Sequence, residues 1–149
     1  MKQIVIPKEK ALFRLDENGH WHGPEGRFRH RKIIDLFNAS IRRDGQGYYV
    51  TQVRENCREK VYFTYEDTVL FAVDVSKGED VVLLLNTKEK LKLRPRKLFI
   101  KNDRLYMEAG EDRVRFSERA LVKLSGFLEY ESGQDFIRVR GRRYRIKQR

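Results

Sequence analysis

Slid along itself by 88 residues, the distance from Arg31 to Arg119, the chain lays its second half over its first without gaps. Phe28 then falls on Phe116, Leu36 on Leu124, Gly45-Gln46 on Gly133-Gln134, and Tyr48 on Phe136. The order of turn, hairpin, helix, turn and strand agrees as well. A repeat of this length means one supersecondary unit used twice, each copy burying part of a core. The 149 residues fit one compact domain or two small ones sharing a core. The predicted organisation is a leader over 1–10, a first unit over 11–76 and a second, basic unit over 77–149.

Local pattern fills in the units. Phe13 and Leu15 alternate with polar residues, Glu17-Asn18-Gly19 reads as a turn, and His20-Trp21-His22 returns as a strand. Gly23-Pro24-Glu25-Gly26 breaks the chain. From Arg29 to Ile41 the period changes: Ile33, Leu36, Phe37 and Ile41 share one face of an amphipathic helix. Strand character follows over 48–53, 60–65 and 69–75. In the second half, 81–85, 91–93, 98–101 and 105–108 read as strands, with a hairpin at Asn102-Asp103-Arg104. Ser117 is the predicted N-cap of a helix carrying Leu121, Leu124 and Leu128, with Gly126 the point at which it could end early. A final hairpin joins 136–140 to 143–147. The predicted fold class is α+β: two similar strand–helix–strand units, antiparallel sheets each with one packed helix.

Charge narrows the function. Thirty-three Lys and Arg against 22 Asp and Glu leave +11, which raises encounter rates with polyanions. The final hairpin concentrates it. Alternation puts Ile137, Val139, Tyr144 and Ile146 on one side, and Arg138, Arg140, Arg143, Arg145 and Lys147 are expected on the other. Like charges facing each other in a sheet repel, so an anion would relieve them. Glu129, Glu131 and Asp135 are the local residues able to do the same. A second basic stretch, 88–101, interleaves Leu91, Leu93 and Leu98 with Lys and Arg. If the two basic stretches merge, they form a phosphate-tracking surface; if they lie apart, the protein is merely basic.

Other chemistry is sparse. Gly45 and Gly47 follow a helix and open a strand, the reverse of a phosphate loop. Gly47-Tyr48-Tyr49-Val50 only echoes an RNA-recognition strand. His20 and His22 share a strand face, with Asp16 or Glu17 as further ligands, yet no zinc spacing accompanies them. Cys57 lies near Arg54 and Arg58 without a histidine base, and a single cysteine allows no internal disulfide. Glu59, Glu66 and Asp67 are the carboxylates an acid–base enzyme would use, but no nucleophile with a base is visible. No catalytic residue, metal or cofactor is expected. The N-terminal apolar stretch, Ile4 to Ile6, is too short for a signal peptide, and runs such as Val81–Leu85 are strand-sized. A cytoplasmic protein without membrane insertion is expected.

Three stretches stand out in order: Gly19-His20-Trp21-His22-Gly23 with Phe28 and Ile33-Ile34-Asp35-Leu36-Phe37; Arg42-Arg43-Asp44 with Gly47-Tyr48-Tyr49; and Glu59-Lys60 with Glu66-Asp67 and Ala72-Val73-Asp74-Val75. Together they resemble a bacterial group, the domain-of-unknown-function family 1285. The resemblance covers residues 12–75 and implies duplicated α+β motifs in two subdomains, with a nucleotide-like ligand between them and a role in signalling. It points to Trp21, Tyr48, Glu59, Lys60, Glu66 and Asp67. The leading expectation is therefore a non-enzymatic sensor of a small anionic ligand. Lys60, Arg138, Arg140 and Arg143 would supply charge, and Trp21 and Tyr48 a stacking wall. The alternative is a nucleic-acid-binding protein using the basic face of the second unit; an enzyme comes third.

Overall fold

The computed structural model describes all 149 residues, which divide into two units, Met1–Val69 and Leu70–Arg149. The first unit holds β1 (Lys2–Ile6), β2 (Arg14–Leu15), β3 (Trp21–Gly23), β4 (Gly26–Arg27), α1 (Arg31–Ala39), β5 (Ile41–Asp44), β6 (Gly47–Arg54), β7 (Cys57–Tyr62) and β8 (Thr64–Tyr65). One sheet runs β1-β7-β6-β5 and a smaller one β4-β3-β2-β8. Residues 2–6, expected as a leader, pair as β1 in parallel with β7, from Lys2 opposite Cys57 to Ile6 opposite Val61.

The second unit holds β9 (Leu70–Lys77), β10 (Val81–Leu85), β11 (Lys90–Lys92), β12 (Leu98–Lys101), β13 (Arg104–Ala109), β14 (Asp112–Phe116), α2 (Glu118–Leu124), β15 (Leu128–Glu131), β16 (Gln134–Val139), β17 (Arg142–Arg145) and β18 (Lys147–Gln148). Seven strands form a sheet in the order β11-β10-β9-β14-β13-β12-β18, and β15-β16-β17 form a separate antiparallel sheet. α2 packs on β9 and β14.

This overturns the α+β expectation. The protein is mostly β, with 53% of residues in strands, four sheets and only two α-helices. Nor are the sheets purely antiparallel, since β1–β7, β2–β8, β9–β14 and β12–β18 run parallel. The excess strand comes from segments read as helix or left unread. α1 stops at Ser40, whose N–H meets the carbonyls of Leu36 and Phe37, and Ile41 opens β5 opposite Val50. α2 likewise ends at Leu124, runs into a 3₁₀ turn over 125–127, and leaves Leu128 to open β15. Each helix is then followed by a three-strand antiparallel meander: β5-β6-β7 after α1, β15-β16-β17 after α2.

α1 is also turned from its expected face. Ile33 is 45% and Leu36 62% exposed, while Phe37 points inward. Its ring meets Phe13 at 4.9 Å, Phe28 at 5.1 Å and Trp21 at 5.4 Å, all edge-on. Such pairs add to the area they bury. α2 has the predicted cap, Ser117 Oγ accepting from the Ala120 N–H at 3.2 Å. The tight hairpins use left-handed residue pairs: Glu55-Asn56, Asn102-Asp103, Ser132-Gly133 and Arg140-Gly141 all have positive φ. That matches the twist of the strands they join.

Candidate nucleic-acid interface

The second unit brings its two basic stretches together. Pro95–Lys97 forms a 3₁₀ turn that packs against β17 and leads into β12. β18 returns beside β12, with Lys147 opposite Phe99. In a ladder, aligned residues share a face, so Lys147, Phe99 and Lys101 face the same way. At the other end of the junction half-buried Tyr144 has two guanidinium groups over its ring, Arg96 at 5.2 Å and Arg142 at 5.7 Å. Arg–aromatic stacking of this kind holds a cation in place while its N–H edges stay free to donate. Arg96, Lys97, Lys101, Arg142 and Lys147 are exposed and form no ion pair. Arg149 is different: its guanidinium lies 4.1 Å above Phe99 and pairs with Glu108. Arg149 holds the Glu108 carboxyl below its usual range, and Lys97 and Lys147 add to the effect.

The hairpin cations expected on one face do not all lie there. Arg138 and Arg143 sit opposite each other on β16 and β17, and Arg145 faces Phe136 on the same side. Arg142 shares the opposite side with Val139. Arg140 occupies the turn, at φ 54, and reaches Glu79 at 3.3 Å and Asp80 at 3.4 Å. Lys147 belongs to another sheet altogether. Local carboxylates relieve Arg138 and Arg143, Glu129 accepting from Arg138 at 2.7 Å and Glu131 from Arg143 at 3.0 Å, while Arg145 forms no ion pair. Arg143 also covers Phe136 at 3.6 Å.

The residues nominated in the first unit are similarly engaged. Trp21 is 1% exposed and donates from Nε1 to Asn38 Oδ1 at 2.8 Å, so it is core and not a stacking wall. Tyr48 packs edge-on against Tyr65 at 5.6 Å. Lys60 pairs with Asp44, which also accepts from the Tyr62 hydroxyl at 2.6 Å. The Lys60 hydrogen bond, seconded by Tyr62 and the Gln46 N–H, holds the Asp44 carboxyl down to about 2. Asp44 in turn raises the Lys60 ammonium above the usual lysine range. Glu59 lies 3.7 Å from Arg54. Glu66 accepts from Arg14 at 3.0 Å and from the Glu17 N–H at 3.1 Å, and Asp67 is also engaged.

Asp16 does gather both strand histidines, His22 at 2.7 Å and His20 at 3.8 Å. Burial raises its pKa, but the His20 N–H, His22 and the Asn18 N–H together pull it below the ordinary value. These bonds close the β2–β3 turn, and no group of three His, Cys, Asp or Glu side chains is arranged to hold a metal. Among the junction residues, Arg142 and Tyr144 were missed as functional. Extending the period-2 alternation of β17 back one step puts both on the same side.

The arrangement defines a class: a mostly β protein of two units, each carrying a helix followed by a three-strand meander. Neither the sequence profiles of known families nor the curated proteins match the chain. Two solved structures share its fold. A DUF1285 family protein from Silicibacter pomeroyi DSS-3 is 14% identical with a TM-score of 0.65, over 98% of this chain and 84% of that one. Another, from Shewanella baltica OS155, is also 14% identical with a TM-score of 0.55, over 80% and 94%. The resemblance read from Gly19–Gly23, Arg42–Tyr49 and Glu59–Val75 is thus met at the level of fold. No helix is long and apolar enough to cross a membrane.

Proposed function

We propose that the protein is a non-enzymatic nucleic-acid binder that tracks phosphates with the junction of its second unit. The observation that carries this reading is the meeting of Arg96, Lys97 and Lys101 with Arg142 and Lys147, none of them in an ion pair; Glu108, which attracts Lys97 and Lys147, is itself paired with Arg149. Exposed cations without partners gain most when a polyanion releases its condensed counterions. Tyr144 and its two arginines add a planar platform on which an unpaired base stacks. The cytoplasm, where Cys57 stays reduced, is the proposed compartment.

A small-ligand sensor with a signalling role stands second. Lys60, Arg138, Arg140 and Arg143 would each have to leave a carboxylate to meet a ligand. Fluorescence anisotropy with a labelled single-stranded oligonucleotide, competed by unlabelled mononucleotides, separates the two. Binding that mononucleotides fail to displace supports the nucleic-acid reading. Displacement by one mononucleotide at micromolar concentration refutes it in favour of the sensor.

A further inference from the structure

We propose that the β4–α1 region of the first unit docks on an anionic phospholipid bilayer. The surface has two components that stand together. Arg27, Arg29, Arg31 and Lys32 place four cations within six positions, all exposed and none in an ion pair. Only Glu25 and Asp35 oppose them locally. Beside them Ile33 and Leu36 stand in water, 45% and 62% exposed. At 100° per residue Lys32, Leu36 and Ile33 fill neighbouring sectors of the helix, so charge and aliphatic bulk share one side.

Next to this edge is an open groove of about 540 Å³, lined by Arg27, Arg29, Phe28, His30 and Ile33, with Glu25 the one carboxylate in its wall. A phosphodiester headgroup seated there meets the guanidinium groups of Arg27 and Arg29, which suit bidentate contact with phosphate oxygens. Ile33, at the groove's edge, and Leu36, one turn on, then enter the acyl boundary. This is how a surface helix with cationic flanks lies in a bilayer interface. Phe37, in the sector next to Ile33, holds α1 against Phe13, Trp21 and Phe28, so docking need not unfold or turn the helix. Nucleic acid would use the cations and leave the aliphatic side chains in water. A bilayer uses both.

Co-sedimentation with vesicles tests this. The protein is expected to partition onto phosphatidylglycerol–phosphatidylcholine vesicles and much more weakly onto phosphatidylcholine alone. Each cation near an anionic surface is worth roughly five-fold in partitioning, so the Arg27→Ala/Arg29→Ala pair loses about 25-fold. Ile33→Ser/Leu36→Ser, at exposed positions, loses on the order of ten-fold or more. Circular dichroism and oligonucleotide binding by the second unit stay as in the parent. Equal binding to both vesicle types, or vesicle binding indifferent to Ile33 and Leu36, overturns the proposal. So does full competition by free glycerol phosphate, which would assign the groove to a soluble anion. Loss of oligonucleotide binding in the arginine pair would assign those cations to nucleic acid instead.

Discussion

Replacing Arg96 and Arg142 together by alanine puts a number on the proposed phosphate contacts. Five unpaired cations meet at the junction: Arg96, Lys97, Lys101, Arg142 and Lys147. Each phosphate neutralised on a single strand contributes about −0.7 to the slope of log K against log salt. All five give a slope of about −3.5, or roughly a 100-fold loss of affinity when salt rises from about 50 to about 200 mM. The double variant keeps three, for a slope of about −2.1 and a loss of roughly 20-fold over the same range. Both side chains are exposed but stack on Tyr144, so the fold is expected to lose no more than about 1–2 kcal/mol. The assay is anisotropy of a labelled single strand at four or more salt concentrations. Arg138→Ala/Arg143→Ala is the control, because those two already face Glu129 and Glu131; its slope should match the parent. A double variant whose slope equals the parent's, or a parent slope shallower than about −1, refutes the reasoning.

Three further outcomes follow from the geometry. Phe37→Ala should cost about 3 kcal/mol by urea denaturation and Leu36→Ser close to nothing, because Phe37 packs on three rings while Leu36 is 62% exposed; the opposite order would mean that α1 is turned the other way. Asp44 has its folded pKa lowered to about 2, so its contribution is whole above the ordinary aspartate value and is lost as pH falls toward 2. Denaturation midpoints between about pH 5 and pH 2 should flatten in Asp44→Asn, and an unchanged pH profile would remove Asp44 as the cause. Asp103→Gly, at φ 61 in the β12–β13 turn, should raise stability by up to about 1 kcal/mol, read as a higher melting temperature.

Local signals in the chain were readable, and long-range ones were not. Asn102-Asp103 announces its hairpin because few residues tolerate left-handed backbone, and Ser117 announces its cap because its hydroxyl replaces a missing acceptor. The face of α1 was ambiguous from the start. Ile33 and Ile34 are adjacent, so apolar spacing fits either one, and only the ring cluster around Phe37 decides between them. β14, Asp-Arg-Val-Arg-Phe, hides as a charged loop. In the fold it is a central strand between β9 and β13, with Val114 and Phe116 buried and the arginines on the other face. For the site, Glu129 and Glu131 were near enough in sequence to be named as partners for the hairpin arginines. Arg140 and Glu79 are 61 residues apart, and no pattern along the chain joins them. The meeting of 95–101 with 142–147 rests on a parallel pairing that only the fold creates.

The burial of Trp21 has a spectroscopic consequence. It is the only tryptophan in the chain, enclosed by Phe13, Phe37 and Phe63 within the first unit. Its emission is therefore a blue-shifted signal from one unit, and Leu70–Arg149 is dark at tryptophan wavelengths. Far-ultraviolet dichroism, by contrast, registers the strands of both. A melt followed by the two signals together separates the units without any added label: coincident curves mean they open as one cooperative body, and displaced curves give each its own midpoint.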